Sequence, residues 1–230
     1  MLFGLRLTWR ARHSRLEPGE SVVPVEKDDG RLIELARAGD LDAFNVLVAR
    51  HERPVYSVAL RYMRNPELAE DVTQDTFLRA YHALDSFRNE AGYGLRAWLL
   101  TIAANRARDV LRAQARRPTI SLDETDDESS WEPEAPGESP LEFAQRGELG
   151  ELLERAIGAL PPEQRLVVIL SDVQGLPYDQ IAAIVGVPVG TVKSRLNRGR
   201  ARLRGILLDD QRAREHFARR ARLEGDGERG

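Results

Sequence analysis

Residues 176–200 read LPYDQIAAIVGVPVGTVKSRLNRGR, and their spacing predicts two short helices about a tight turn. Over Tyr178 to Val185 the apolar positions Ile181, Ala182 and Val185 follow i, i+1, i+4, the pattern of a helix packed on one side. Gly186 comes next, the residue type that best tolerates the left-handed conformation closing a helix. Pro188 stands where a second helix should start, its ring supplying a helical φ with no needed N–H lost. From there Val192, Leu196 and Leu203 form one buried stripe, and Thr191, Lys193, Ser194, Arg195, Asn197 and Arg198 are left on the other sides. This is the pattern of a helix-turn-helix whose second helix can enter a major groove. A helical hairpin with a solvated basic face would account for the charges alone. The glycine turn, the small Ala182 and Ala183 at a helix approach, and the polar first half of the second helix favour DNA binding.

Charge along the rest of the chain is uneven in the same direction. The 230 residues carry a formal net charge of −3, which by itself argues against nucleic acid. Yet Pro118 to Gln145 holds no Lys or Arg and nine acidic residues, whereas from Gly190 to Arg222 Lys193 and ten arginines face only Asp209, Asp210 and Glu215. Asymmetry of this kind says more about partners than the total does. The absence of cysteine excludes disulfides, thiolate metal sites and a zinc ribbon. His13, His51, His82 and His216 make no ligand pair at helical spacing, and no cofactor is expected. No apolar run approaches the ~20 residues that a membrane helix needs. Arginines interrupt the mildly apolar start, so a signal peptide is not expected either. A cytoplasmic, all-helical protein is the simplest fit.

Read outward from the motif, the chain divides into two small helical domains tied by an acidic tether. Residues 1–26 form a basic leader without sustained period, expected to be flexible. In the first domain, residues 27–115, Asp28 or Asp29 caps a helix through Ala38, and Gly39-Asp40 ends it and caps the next. Leu41 to Arg64 is helical with an expected break near Pro54. Asn65-Pro66-Glu67 is a start signal, an N-cap followed by proline at the first helical position, for a helix to about Leu84. Residues 85–94 are loop by composition, and another helix runs from about Leu95 to Ala115. The stretch 116–143 has too few apolar groups to offset ordering entropy and reads as a linker. The second domain, residues 144–206, starts with a helix whose Leu149, Leu152, Leu153, Ala156, Ile157 and Leu160 share a face. It restarts at Pro161-Pro162 and ends in the helix-turn-helix. Residues 207–230 form a basic tail, expected to be disordered.

Two faces of the first domain ask for a partner. On the helix 67–84, Asp71, Gln74, Asp75, Leu78 and His82 share a side away from Phe77, Ala80, Tyr81 and Leu84. That mixed acidic stripe is either a solvated surface or a docking face for a basic, partly apolar protein. Asp71 and Asp75 with Glu67 or Glu70 suggest a divalent cation, but no second ligand pair completes a metal site, and no enzyme activity is expected. On the helix 95–115, Trp98, Thr101, Asn105, Arg108 and Arg112 recur at i, i+3, i+7, i+10 and i+14. A ring for stacking, an amide for a base edge and guanidinium groups for phosphates suit single-stranded DNA. Trp98 serves equally well as a core anchor on sequence grounds alone.

These segments together resemble an extracytoplasmic-function (ECF) sigma factor of bacterial RNA polymerase, in the sigma-70 family. The resemblance rests on Asp71-Val72-Thr73-Gln74-Asp75-Thr76-Phe77-Leu78-Arg79-Ala80-Tyr81; on Trp98 to Asn105 with Asp109 and Arg112; on Leu160-Pro161-Pro162-Glu163-Gln164-Arg165; and on Gly190 to Leu196 with Arg198, Arg200 and Leu203. It implies that the first domain is sigma region 2. There Asp71, Gln74, Asp75 and Leu78 would meet the clamp helices of the polymerase largest subunit, and Trp98, Thr101, Asn105, Arg108 and Arg112 would recognise and open the −10 element. It implies that the second is region 4, near the polymerase flap, with Thr191, Lys193, Ser194, Arg195 and Arg198 on the −35 element. An anti-sigma factor is a further expected partner, and membrane insertion is not expected. Three positions depart from the family's habit: Asp75 stands where Glu is common, Pro177 where Ser often caps, and the loop Asn89 to Ala97 is slightly long. The rival reading, a stand-alone helix-turn-helix regulator, leaves the stripes of the first domain without a task.

Overall fold

The computed structural model describes residues 28–88, 93–116 and 140–211. The leader 1–26, the core of the expected linker, residues 89–92 of the expected loop and the tail beyond Gln211 lie outside the described residues. Within them the chain is helical throughout, and it divides into two compact units between Val46 and Leu47.

The first unit holds α1 (Asp29–Arg37) and the start of α2 (Leu41–Met63). Leu32, Ile33 and Ala36 bury one side of α1, at the spacing expected of an amphipathic helix. Gly39, with φ +95°, makes the turn that a side chain would resist. Asp40 then caps α2, its Oδ1 accepting from the Ala43 N–H at 3.0 Å. Asp28 precedes α1 without a side-chain capping bond.

In the second unit α2 continues without the break expected at Pro54. Proline there removes one hydrogen bond and crowds the preceding turn. Burial of Val55, Val58, Ala59, Tyr62 and Met63 on the turns that follow outweighs that local cost. The next helix, α3 (Pro66–Ala83), starts as expected: Asn65 Oδ1 accepts from the Leu68 N–H at 2.8 Å, and Pro66 occupies the first turn. Its Thr73 and Thr76 are fully buried, and their hydroxyls donate to the carbonyls of Ala69 and Val72, so neither leaves an unpaired group. A 3-10 turn (Leu84–Ser86) leads towards α4 (Gly94–Arg116), which packs along α3 and buries Leu95, Ala97, Leu99, Leu100, Ala103, Ala104 and Ala107. Four of these are alanines, small enough to let neighbouring helices approach.

The expected linker is trimmed at both ends, because α4 reaches Arg116 and α5 (Pro140–Gly158) starts ahead of Ala144. Next come α6 (Pro162–Val168), a wide π turn (Ile169–Val173), α7 (Tyr178–Val185) and α8 (Val189–Asp209). Gly186 takes φ +69° and ψ 40° and ends α7. Pro188 is the N-cap of α8, one place before the helical position expected for it. Ile181, Ile184 and Val185 fill one side of α7, so Ile184 takes the core place that the sequence pattern gave to Ala182. Val192, Leu196, Gly199 and Leu203 fill the inner side of α8. That helix runs through Asp209, so the first residues of the expected tail are helical. Among the described residues no helix is long and apolar enough to cross a membrane.

Candidate polymerase and nucleic-acid interfaces

On α3 the stripe is partly committed. Asp71 is exposed, while Gln74, Asp75 and Leu78 are half-buried. Asp75 Oδ2 lies 2.6 Å from Arg106 Nε on α4 and 3.1 Å from Arg79 Nε. The shorter carboxylate therefore braces α3 to α4 while keeping a third of its side chain in solvent. The stripe presents a carboxylate, an amide, an ion pair and an apolar edge.

The face of α4 is built by what occupies its opposite side. With the alanines and leucines buried, Trp98, Thr101, Asn105, Arg108 and Arg112 share the other side, as predicted. Trp98 is half-buried, with its ring centroid 5.0 Å from that of Phe87. Thr101 donates to the Ala97 carbonyl at 2.8 Å, a local bond that fixes its rotamer. Asn105 and Arg112 are exposed. Arg108 is the junction: one Nη donates to Asn105 Oδ1, and the other donates to the Val185 carbonyl of α7 at 2.9 Å.

On α8 the five predicted residues separate into two groups. Lys193, Ser194 and Arg198 are exposed, together with Asn197. Arg198 folds back to the Ser194 hydroxyl at 2.9 Å, which shapes a compact cationic and hydroxylic patch on the first turns. Thr191 and Arg195 are half-buried. Arg195 pairs with Glu163 of α6 at 2.5 Å, so it joins α8 to α6. Arg200 does the same with the π turn through Asp172 at 2.5 Å, and that bond holds its guanidinium pKa above the ordinary value.

Sequence reasoning missed the residues that join α2 and α4 to the helices after residue 140. Arg165 donates to the Tyr62 carbonyl on α2 at 2.9 Å, and its other Nη donates to the Gly158 and Leu160 carbonyls at 2.5 and 2.9 Å. Burial, and after it the charge of Arg64, lowers the Arg165 pKa. Arg61 pairs with Glu154 at 2.7 Å. Arg96 Nη2 reaches the side-chain and backbone oxygens of Gln174 at 2.6 and 3.1 Å, and Tyr93 donates to Asp179 at 3.1 Å. Arg165 lay within a quoted motif, but no period or spacing assigns a partner about a hundred residues away.

Comparison with known proteins places this arrangement. The chain matches Sigma-70 region 2 over residues 47–117 and Sigma-70, region 4 over residues 150–203. It is 39% identical to the ECF RNA polymerase sigma-E factor of Escherichia coli (strain K12) over 175 residues, covering 75% of this chain and 90% of that protein. It is 33% identical to the RNA polymerase sigma-H factor of Pseudomonas aeruginosa, covering 76% of this chain and 91% of that one. Among solved structures, it is similar to CnrH in complex with the cytosolic domain of CnrY, with a TM-score of 0.57 and 31% identity over 80% of this chain and 99% of that chain. The sigma factor RpoE in complex with the anti-sigma factor NepR from Bartonella quintana gives a TM-score of 0.55 and 28% identity over 73% and 98%. The chain belongs to the ECF group of the sigma-70 family. Its function is that of an RNA polymerase sigma factor, which binds core polymerase and directs promoter-specific initiation through the −10 and −35 elements.

Proposed function

We propose the following division of labour within that function. Asp71, Gln74, Asp75 and Leu78 on α3 dock the clamp helices of core polymerase. Trp98, Thr101, Asn105, Arg108 and Arg112 on α4 read and hold the opened −10 strand. Thr191, Lys193, Ser194, Arg195 and Arg198 act on the −35 duplex, the exposed Lys193, Ser194 and Arg198 directly and Arg195 by fixing the pitch of α8 against Glu163. The observation that carries the reading is the sorting of α4: its small apolar side is buried, which leaves an aromatic, an amide and two arginines on the other side. Region 2 is taken as residues 27–115 and region 4 as 144–206. An anti-sigma protein is the expected regulator, since the two similar structures are complexes, one of them with the anti-sigma factor NepR. The protein acts without catalysis of its own, in the cytoplasm with the polymerase.

Run-off transcription with purified core polymerase tests the whole assignment. A promoter-specific product should require this protein, and a matched core and promoter giving none would refute it. Replacing Asp75 and Leu78 together by alanine should weaken core binding about tenfold or more while leaving duplex DNA binding unchanged, as expected when a half-buried apolar side chain and a carboxylate leave an interface. Equal loss of both activities would remove the docking role from α3.

A further inference from the structure

Arg200 lies seven residues beyond Lys193 on α8, so helical period alone adds it to the same row as a further phosphate contact. The structure commits it elsewhere. Its Nε donates to Asp172 Oδ2 at 3.0 Å and its Nη2 to Asp172 Oδ1 at 2.5 Å, a two-point grip on one carboxylate. The same Nη2 lies 3.5 Å from Ser171 Oγ, and a further hydrogen bond links the guanidinium to Tyr178. Asp172 belongs to the π turn, a form frequent at functional sites. Tyr178 is the first residue of α7.

The grip therefore joins three elements, away from the turn of the motif. Gly186 to Pro188 tie α7 to α8 at one end only. Arg200 fastens the start of α7 and the π turn to the middle of α8. Beside it Gly199 has no side chain to interlock with Val168, although a Cβ there would lie only 2.8 Å from Val168 Cγ2. The buried Val192 and Leu196 hold α8 by apolar contact, which has no preferred direction. Arg198 stands nine residues, about 13 Å, along α8 from Val189. A splay of about 10° at the turn would carry it roughly 2 Å, more than a hydrogen bond tolerates.

We propose that Asp172 and Arg200 are positioning residues for −35 recognition: they fix the angle at which α8 presents Lys193, Ser194, Asn197 and Arg198 to the duplex, and Arg200 itself makes no DNA contact. The inference rests on the assignment of α8 to the −35 duplex and divides its arginines between reading and bracing. Contacts to base edges need that angle, whereas long cationic side chains follow the phosphates without it. Loss of the grip lowers sequence discrimination and spares sequence-independent binding.

The test uses the full-length chain. Selection from a randomised duplex pool by the wild type supplies a preferred duplex. Affinities for that duplex and for the unselected pool are then measured across a range of salt for Asp172→Asn, Arg200→Gln and the double variant. A pair this exposed adds little to stability, and circular dichroism verifies the fold of each variant. Each single variant should lose about tenfold on the preferred duplex, the share of one or two base contacts drawn out of reach. The double variant should lose no more than either single one, because the two residues act as a unit. Affinity for the unselected pool should stay within about twofold, with an unchanged salt slope. A salt slope reduced by about one in Arg200→Gln would make Arg200 a phosphate contact and overturn the proposal. Additive losses in the double variant also overturn it, as does unchanged discrimination in Asp172→Asn. A wild type that selects no preferred duplex, or whose affinity for it survives Lys193→Ala with Arg198→Ala, removes the assignment of α8 and the inference with it.

Discussion

Gly199 sits in the middle of the helix assigned to the −35 duplex, where replacing it by alanine should ordinarily stabilise the protein by about 1 kcal/mol through helix propensity. The structure reverses that sign. A Cβ on Gly199 would lie 2.8 Å from Val168 Cγ2 of α6, with Gln164 Cβ at 3.5 Å. Ordinary carbon contacts fall near 3.5–4.0 Å, and Val168 is 1% exposed, so its methyl can give way only into the surrounding core. Overpacking of this kind costs about 1–3 kcal/mol, against which the propensity gain leaves a net loss of about 1 kcal/mol. Val168→Ala alone removes two buried carbons and should cost about 1–3 kcal/mol. It also removes the atom that Gly199→Ala would strike. The double variant should therefore be about 1–2 kcal/mol more stable than additivity allows. Urea unfolding followed by circular dichroism measures all four corners of the cycle, and duplex DNA binding should fall in Gly199→Ala and recover in the pair. A stabilised single variant, or additivity within about 0.5 kcal/mol, would refute the close approach of α8 to α6.

Arg165→Met keeps much of the side-chain volume but leaves the carbonyls of Tyr62, Gly158 and Leu160 without their donor. The expected loss is about 2–3 kcal/mol in urea unfolding, and a loss below 0.5 kcal/mol would show that water replaces the guanidinium fully. The Tyr93 phenol has its pKa raised by its hydrogen bond to Asp179. Since the raised value belongs to the folded chain, this contact is fully present below the ordinary tyrosine value near 10 and is lost as pH rises through the folded value. Ultraviolet titration of wild type against Asp179→Ala should show one of the tyrosines returning to lower pH in the variant; superimposable curves would remove the bond.

Local chemistry made much of the fold legible in advance. Asn65-Pro66, Gly39-Asp40 and Gly186 fix helix ends through caps and a left-handed turn, interactions that span only a few residues. The Asp71 to Leu78 and Trp98 to Arg112 stripes follow from helical period alone. Where reading by local rules failed, a distant group had outweighed a local preference. Pro54 stays within α2 because the turns after it are buried, and Ile184 displaces Ala182 from the core of α7 because the larger side chain fills the space.

The sequence by itself therefore determined the helices, their faces, the two regions and the residue chemistry carried on each face. Only the tertiary structure decided how those residues are spent. Asp75 is tied to Arg106, Arg195 to Glu163, and Arg108 to the end of α7. The physical reason is range: caps and helical periods act within a few residues. Ion pairs and carbonyl capping join side chains about thirty to a hundred residues apart, at a distance that no period in the chain records.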